Sequence, residues 1–176
     1  MNDEITSAGS IERTGDAFAI RLERIIEHEP GAVWRMLTAS DALPQWLAPG
    51  SVEAQTGGAI RVDFPESGAS IDATVRACEP PRLLEYSWSS GDEPQRPLRW
   101  ELEPIAAGTH LVLGLRLPAD EDAVKSAAGW DAHLEMLLAA LEGVPIRFPV
   151  DHFLALRRRY AEQLAARSPP QRQATG

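Results

Sequence analysis

Five successive blocks of apolar–polar alternation, followed by a switch to helical period, constrain this chain more than any other feature. Ile60, Val62 and Phe64 alternate with Arg61 and Asp63, and Ile71, Ala73, Val75 and Ala77 alternate with Asp72, Thr74 and Arg76. Leu84, Tyr86 and Trp88 make a third apolar row, Leu98, Trp100 and Leu102 a fourth, and Leu111, Leu113, Leu115 and Leu117 a fifth. A period of two puts every second side chain on one face of a strand. Turn formers separate the blocks, at residues 65–68, at Pro80-Pro81, across 89–97 and at Ala106-Ala107-Gly108. Strands joined by such short connections imply an antiparallel meander with one apolar face. Trp130, Leu134, Leu137, Leu138 and Leu141 then fall at i, i+4, i+7, i+8 and i+11, one side of an amphipathic helix that Gly143 and Pro145 end. A sheet with one apolar face must bury it, and this helix is the available cover.

The flanks complete an α+β order. Phe18, Ile20 and Leu22 alternate from Ala17 and predict a first strand. Pro30 suits the first turn of a helix carrying Val33, Trp34 and Leu37. Ser40 is a candidate cap for a second short helix with Leu43, Trp46 and Leu47 on its apolar side. Gly57-Gly58 marks a turn. A last helix is expected over about 150–166, with Phe153, Leu156, Tyr160 and Leu164 on one side and Arg157, Arg158 and Arg159 on the wet side. The organisation expected is a flexible tail over 1–15, one domain over 16–145, an additional helix over 146–167 and a disordered tail over 168–176.

Charge and composition narrow the partners. The formal net charge of −9 disfavours nucleic acid and anionic membrane surfaces, both of which need a positive field. Cys78 is the only cysteine, so no internal disulfide can form. The first sixteen residues lack the basic start and apolar run of a secretory leader, and no apolar stretch nears the roughly 18 residues of a membrane span. A cytoplasmic location is the expectation.

The order and spacing of several short motifs resemble the START-like (SRPBCC) superfamily, in the branch named after the activator of the heat-shock-protein-90 ATPase. They are Glu29-Pro30-Gly31-Ala32-Val33-Trp34, Ala42-Leu43-Pro44-Gln45-Trp46-Leu47, Gly57-Gly58, Glu79-Pro80-Pro81-Arg82-Leu83, Gly108-Thr109-His110-Leu111 and Gly129-Trp130. The resemblance runs from about Ala17 to Gly143. It implies a helix-grip fold over 16–145, a curved antiparallel sheet wrapped around the long helix, with a ligand cavity between them. The superfamily hosts carriers, receptors and cyclases alike, so the fold leaves the chemistry open. The eukaryotic activator carries an additional N-terminal chaperone-binding domain, which this sequence is expected to lack. The helix after Pro149 extends past the usual family domain, and either packs on it or forms a homodimer contact.

Weighing of chemical groups yields no catalytic assignment. His28, His110, His133 and His152 share no local metal-ligand spacing, and no metal or other cofactor is expected. No Gly-rich loop follows a strand and opens a helix, which leaves nucleotides without a motif. Ser87, Ser89 and Ser90 lack the context of a nucleophile elbow. Cys78 is expected to be a small buried hydrophobe. Asp72, Glu85, Glu101 and Glu103 alternate with apolar positions and belong to the outer face. His133, one turn after Trp130, is either a cavity anchor or general base, or a boundary histidine with its edge in water. Each tryptophan can be core filler or cavity wall. The cavity-lining candidates are Phe64, Val75, Tyr86, Trp88, Trp100, Leu113, Trp130, His133 and Leu137.

Three functions follow as expectations. The first is binding of a small apolar or amphipathic ligand. The second is an enzyme of cyclase, dehydratase or hydrolase type, with His133 and Tyr86 as its acid–base candidates. The third is a co-chaperone-like interaction role through the surface or last helix, which requires an exposed apolar patch there.

Overall fold

The computed structural model describes residues 9–167. Strands β1 (Gly9–Thr14), β2 (Ala17–Ile26), β3 (Gly50–Val52), β4 (Ala59–Asp63), β5 (Ser70–Glu79), β6 (Leu83–Ser87), β7 (Pro97–Ile105) and β8 (Gly108–Pro118) form one curved antiparallel sheet. Its order is β1-β2-β8-β7-β6-β5-β4-β3. The meander runs from β3 to β8, and β2 closes onto its last strand over a ladder from Ala17 opposite Pro118 to Ile26 opposite Thr109. Helices α1 (Pro30–Thr38), α2 (Ala123–Leu141) and α3 (Val150–Arg167) complete the chain. The helix-grip architecture is therefore present, with α2 gripped by the sheet.

Local chemistry accounts for the boundaries. Pro30 opens α1 where its missing N–H is not needed. Asp122 caps α2, its Oδ1 accepting the Lys125 N–H at 3.0 Å. Gly143, at φ 77°, takes the left-handed conformation that follows α2.

Four local features depart from the sequence reading. Residues 9–14, expected in a loose tail, form β1 because Ile11 is fully buried and the edge is held from above. The short helix expected from Ser40 is a 3-10 turn, Leu43–Gln45, without a side-chain cap. Pro44 has no N–H to extend an α-helical ladder there. A bulge between Val75 and Ala77 shifts the register of β5. Cys78 therefore lies opposite buried Leu84, while Ala77 faces Glu85 on the outer side. The fourth is the short edge strand β3, whose three residues carry too little alternation to read.

Between sheet and α2 the interior is filled. Trp46, Trp100, Leu98, Leu111 and Leu113 are essentially inaccessible, and Leu134 and Leu137 meet them from the helix. Ala127, Ala128 and Ala132 are buried too, so small side chains let α2 lie close to the sheet. Trp46 is fixed at both ends: its indole Nε1–H donates to the Met36 carbonyl at 2.7 Å, and its ring meets Trp100 edge-on at 5.9 Å.

Helix α3 covers the β1 edge of the sheet. Gln163 accepts the Ile11 N–H through Oε1 and donates to the Gly9 carbonyl through Nε2, both at 3.0 Å. Arg167 donates to the Ile11 carbonyl at 3.1 Å. One amide side chain thus pairs two backbone groups of an otherwise open strand edge. The approach is close enough that a Cβ on Gly9 would lie 1.8 Å from the Tyr160 hydroxyl.

Both tyrosines are buried. Burial pushes Tyr86 up to about 12, and burial together with a bond to Asp131 raises Tyr160 as well. An unfolded tyrosine ionises near 10. Above that pH the unfolded chain loses protons that the folded chain keeps, so stability is intact below pH 10 and falls as pH climbs toward 12. Phenolate absorbance should accordingly appear together with alkaline unfolding. An ordinary titration near 10 in a chain that stays folded would contradict the burial. Among the described residues no helix is long and apolar enough to cross a membrane.

Candidate functional site

The nine cavity candidates divide into two groups. Val75, Tyr86, Trp100, Leu113 and Leu137 are packed inside the core, each almost fully buried. Phe64, Trp88, Trp130 and His133 border open space. Phe64 lies just past β4, held where its N–H donates to the Ala69 carbonyl at 2.8 Å. Trp88 continues β6, and Trp130 and His133 stand one turn apart on α2. Their rings form a continuous series, edge-to-face from Phe64 to Trp88 at 6.1 Å and from Trp88 to Trp130 at 4.7 Å, and tilted from Trp130 to His133 at 6.0 Å.

Two clefts flank this series. One, of about 510 Å³, lies between Phe64, Trp88 and Trp130, under a rim made by Arg96, Glu121 and Lys125. The other, of about 750 Å³, lies beside Pro49, Met136 and Phe148. They share Leu47, Phe64 and His133 in their walls. The smaller cleft is walled by the start of β5, the loop after β6, the end of β8 and the first turns of α2.

The rim is electrostatically organised. Arg96 Nε donates to Glu121 at 2.7 Å, and its Nη1 reaches Glu93 at 3.1 Å and the Trp88 carbonyl at 3.2 Å. That clamp fixes the carbonyl beside the Trp88 ring. Glu121 Oε2 is buried with no partner among the described residues. Lys125 is exposed, and its ammonium makes no ion pair among them.

His133 is the titratable group deepest in the walls. Its Nδ1 lies 3.0 Å from the Trp46 carbonyl, and its ring packs against Phe148 at 5.4 Å. Burial holds its pKa below the ordinary value, partly opposed by that hydrogen bond. Tyr86, the other acid–base candidate, is inside the core and borders neither cleft.

A second polar cluster sits beneath α3. Arg24 on β2 pairs with Asp131 on α2 and, at 3.2 Å, with Glu135. The Tyr160 hydroxyl donates to the other Asp131 oxygen at 2.6 Å. Arg24 and Asp131 are only 3% and 1% exposed. Ligand atoms of Asp131, Glu135 and His152 come within 4.8 Å of one another, a grouping that the lack of local spacing concealed. The Arg24 guanidinium already supplies the positive charge there, so the cluster works as an ion-paired lock joining β2, α2 and α3.

The remaining sequence candidates are accounted for structurally. Ser87 donates to Ser89 at 2.9 Å, and Ser89 donates to the Pro94 carbonyl at 2.5 Å, which commits both hydroxyls to one loop. Burial raises the Cys78 thiol. Glu85 and Glu101 flank Arg99 on the outer face, at 3.2 and 2.5 Å. Sequence reasoning missed Leu47, Arg96, Glu121, Lys125 and Phe148 as wall or rim residues. Arg96, Glu121 and Phe148 come from loops, where no periodicity points to a face, Leu47 from a turn where a short helix was expected, and Lys125 from the exposed first turn of α2.

Residues 27–142 match the family described as activator of Hsp90 ATPase homolog 1-like protein. No curated protein matches the sequence. Among solved structures, CalU16 from Micromonospora echinospora superposes with a TM-score of 0.75 at 20% identity, covering 90% of this chain and 98% of its own. EF2215 from Enterococcus faecalis, a conserved protein of unknown function, gives 0.77 at 22% identity, covering 92% of each chain. The protein encoded by gene BPP1335 from Bordetella parapertussis gives 0.66 at 28% identity, covering 90% of this chain and 95% of its own. These likenesses establish the fold.

Proposed function

The chain belongs to the activator of Hsp90 ATPase homolog 1-like family, of the START-like (SRPBCC) type, and from that premise we propose that it binds a small amphipathic ligand in the cleft bounded by Phe64, Trp88 and Trp130. The observation that carries this reading is the half-open aromatic wall under a charged rim. A solid core has no use for a half-buried Trp88 and Phe64 facing a 510 Å³ space. A ligand with an apolar body and a polar end suits both parts.

Binding to the native state alone raises stability by about 2.7 kcal/mol at a hundredfold excess over Kd. A thermal-shift screen of amphipathic aromatic and acyl compounds should therefore find a class that raises Tm by several degrees. The same compounds should quench tryptophan emission, since Trp88 and Trp130 border the cleft. Native mass spectrometry of freshly purified protein would identify anything already bound. Protein that is empty, and shows no shift across such a panel, would refute the reading.

A second reading, a homodimer or protein contact through α3, draws on a different observation. Val150 and Leu154, one turn apart on α3, are 57% and 50% exposed, and Val144 and Ile146 are exposed just before them. The inner face of α3 is already occupied by its own domain through Leu156 and Tyr160. Sedimentation should give a dimer that Leu154→Glu dissociates; a monomer at high concentration removes the homodimer.

A further inference from the structure

The hydrogen-bonding polarity of the cleft follows from one carbonyl. The Trp46 C=O can only accept, so the nitrogen 3.0 Å from it, His133 Nδ1, carries the imidazole proton. A neutral imidazole has a single N–H, which leaves Nε2 as a bare lone pair. Burial keeps the ring neutral. The ring lies between Trp130 at 6.0 Å and Phe148 at 5.4 Å, so turning it over to exchange the nitrogens would break the Trp46 bond inside a packed wall. Nε2 has no hydrogen-bond partner among the described residues, although the ring lines both clefts. Glu121 Oε2, in the wall of the smaller cleft, is a second acceptor with no donor. Of the Arg96 donors nearby, Nε is engaged by Glu121 and Nη1 by Glu93 and the Trp88 carbonyl, while Nη2 has no hydrogen bond among the described residues.

We infer that the cleft selects a ligand presenting a hydrogen-bond donor, an aromatic hydroxyl, to His133 Nε2, with its ring against the Trp88–Trp130 edge. The inference rests on the cleft being a ligand site, and adds the chemical class of the head group. A hydroxyl gains a bond at Nε2. A carboxylate or an ether oxygen meets a lone pair there and gains none. Lys125, exposed and two turns before His133 on α2, and Arg96 through its Nη2 are the groups that would favour an acid instead.

The test compares 2-naphthol, 2-methoxynaphthalene and 2-naphthoate on the intact chain by equilibrium dialysis at neutral pH. One net hydrogen bond to the cleft-facing Nε2 predicts that 2-naphthol binds about two- to tenfold more tightly than the methyl ether. His133→Phe should bring the hydroxyl compound down to the level of the ether and leave the ether unchanged. Equal binding of the two to the unaltered protein would overturn the inference while leaving the ligand site in place. So would a preference that survives His133→Phe, because another acceptor would then be reading the hydroxyl. Naphthoate binding as tightly as naphthol would assign the head group to the Lys125 and Arg96 cations and overturn it too. If none of the three binds, and the broader panel gives no shift either, it is the ligand site itself that fails.

Discussion

Asp131→Ala is expected to lower the unfolding free energy by about 3–5 kcal/mol, read as a drop in the urea midpoint. The magnitude comes from what the substitution leaves behind. Arg24 is 3% exposed and its Nε already lacks a partner, so without Asp131 its charge depends on Glu135 at 3.2 Å alone. Tyr160 loses its acceptor in the same step. Because the cluster ties β2, α2 and α3 together, the loss should be cooperative, and it is a large fraction of the roughly 5–15 kcal/mol that holds a typical domain folded. Replacing the whole set by apolar residues, as Arg24→Met with Asp131→Leu and Tyr160→Phe, removes the stranded charge and should recover much of the loss. A single Asp131→Ala costing under about 1 kcal/mol would mean that the pair is solvated and that α3 is not locked through it.

Trp100→Ala should be comparably costly, about 3–5 kcal/mol, for a different reason. The ring is 1% exposed and braced by Trp46 at 5.9 Å and Trp130 at 5.8 Å. Its removal opens a void that neighbours tied to two elements can only partly fill. The experiment also decides between the two roles available to each tryptophan. A ring lining an empty cavity loses few contacts on truncation, whereas a core ring loses most of them. A large loss with weakened near-ultraviolet circular dichroism identifies Trp100 as filler, and Trp130 would then lean less firmly into the cleft. A loss under about 1.5 kcal/mol would argue that the centre of the grip is hollow.

Each prediction rests on long-range contacts, and that is where the sequence became hard to read. The rows Leu98–Trp100–Leu102 and Leu111–Leu113–Leu115 were legible because a strand repeats every two residues whatever packs on it. Trp130, Leu134 and Leu137 were legible because α2 presents one face. The Val75–Ala77 bulge was not, since alternation continues through it in the sequence and only the pairing with β6 reveals the shift. β1 was hidden for a related reason: one buried residue, Ile11, carries no pattern, and its edge is satisfied by Gln163 and Arg167 more than 150 residues away.

The candidate site divides along the same line. Alternation named Phe64 and Trp88 as inward residues, the helical period named Trp130, and spacing placed His133 beside the stripe. The same two periods named Val75, Tyr86, Trp100, Leu113 and Leu137 with equal force, and those five are core. Periodicity tells which face a side chain occupies. It carries no information about how far along that face the opposing helix reaches. The amino-acid sequence by itself determined the α+β class, the gripping helix and the inward rows, because these follow from local periods and turn chemistry. Only the tertiary structure decided where the interior is solid and where it opens, which nitrogen of His133 holds the proton, and that Arg24, Asp131 and Tyr160 meet, because each depends on three-dimensional proximity between residues that are remote in the chain.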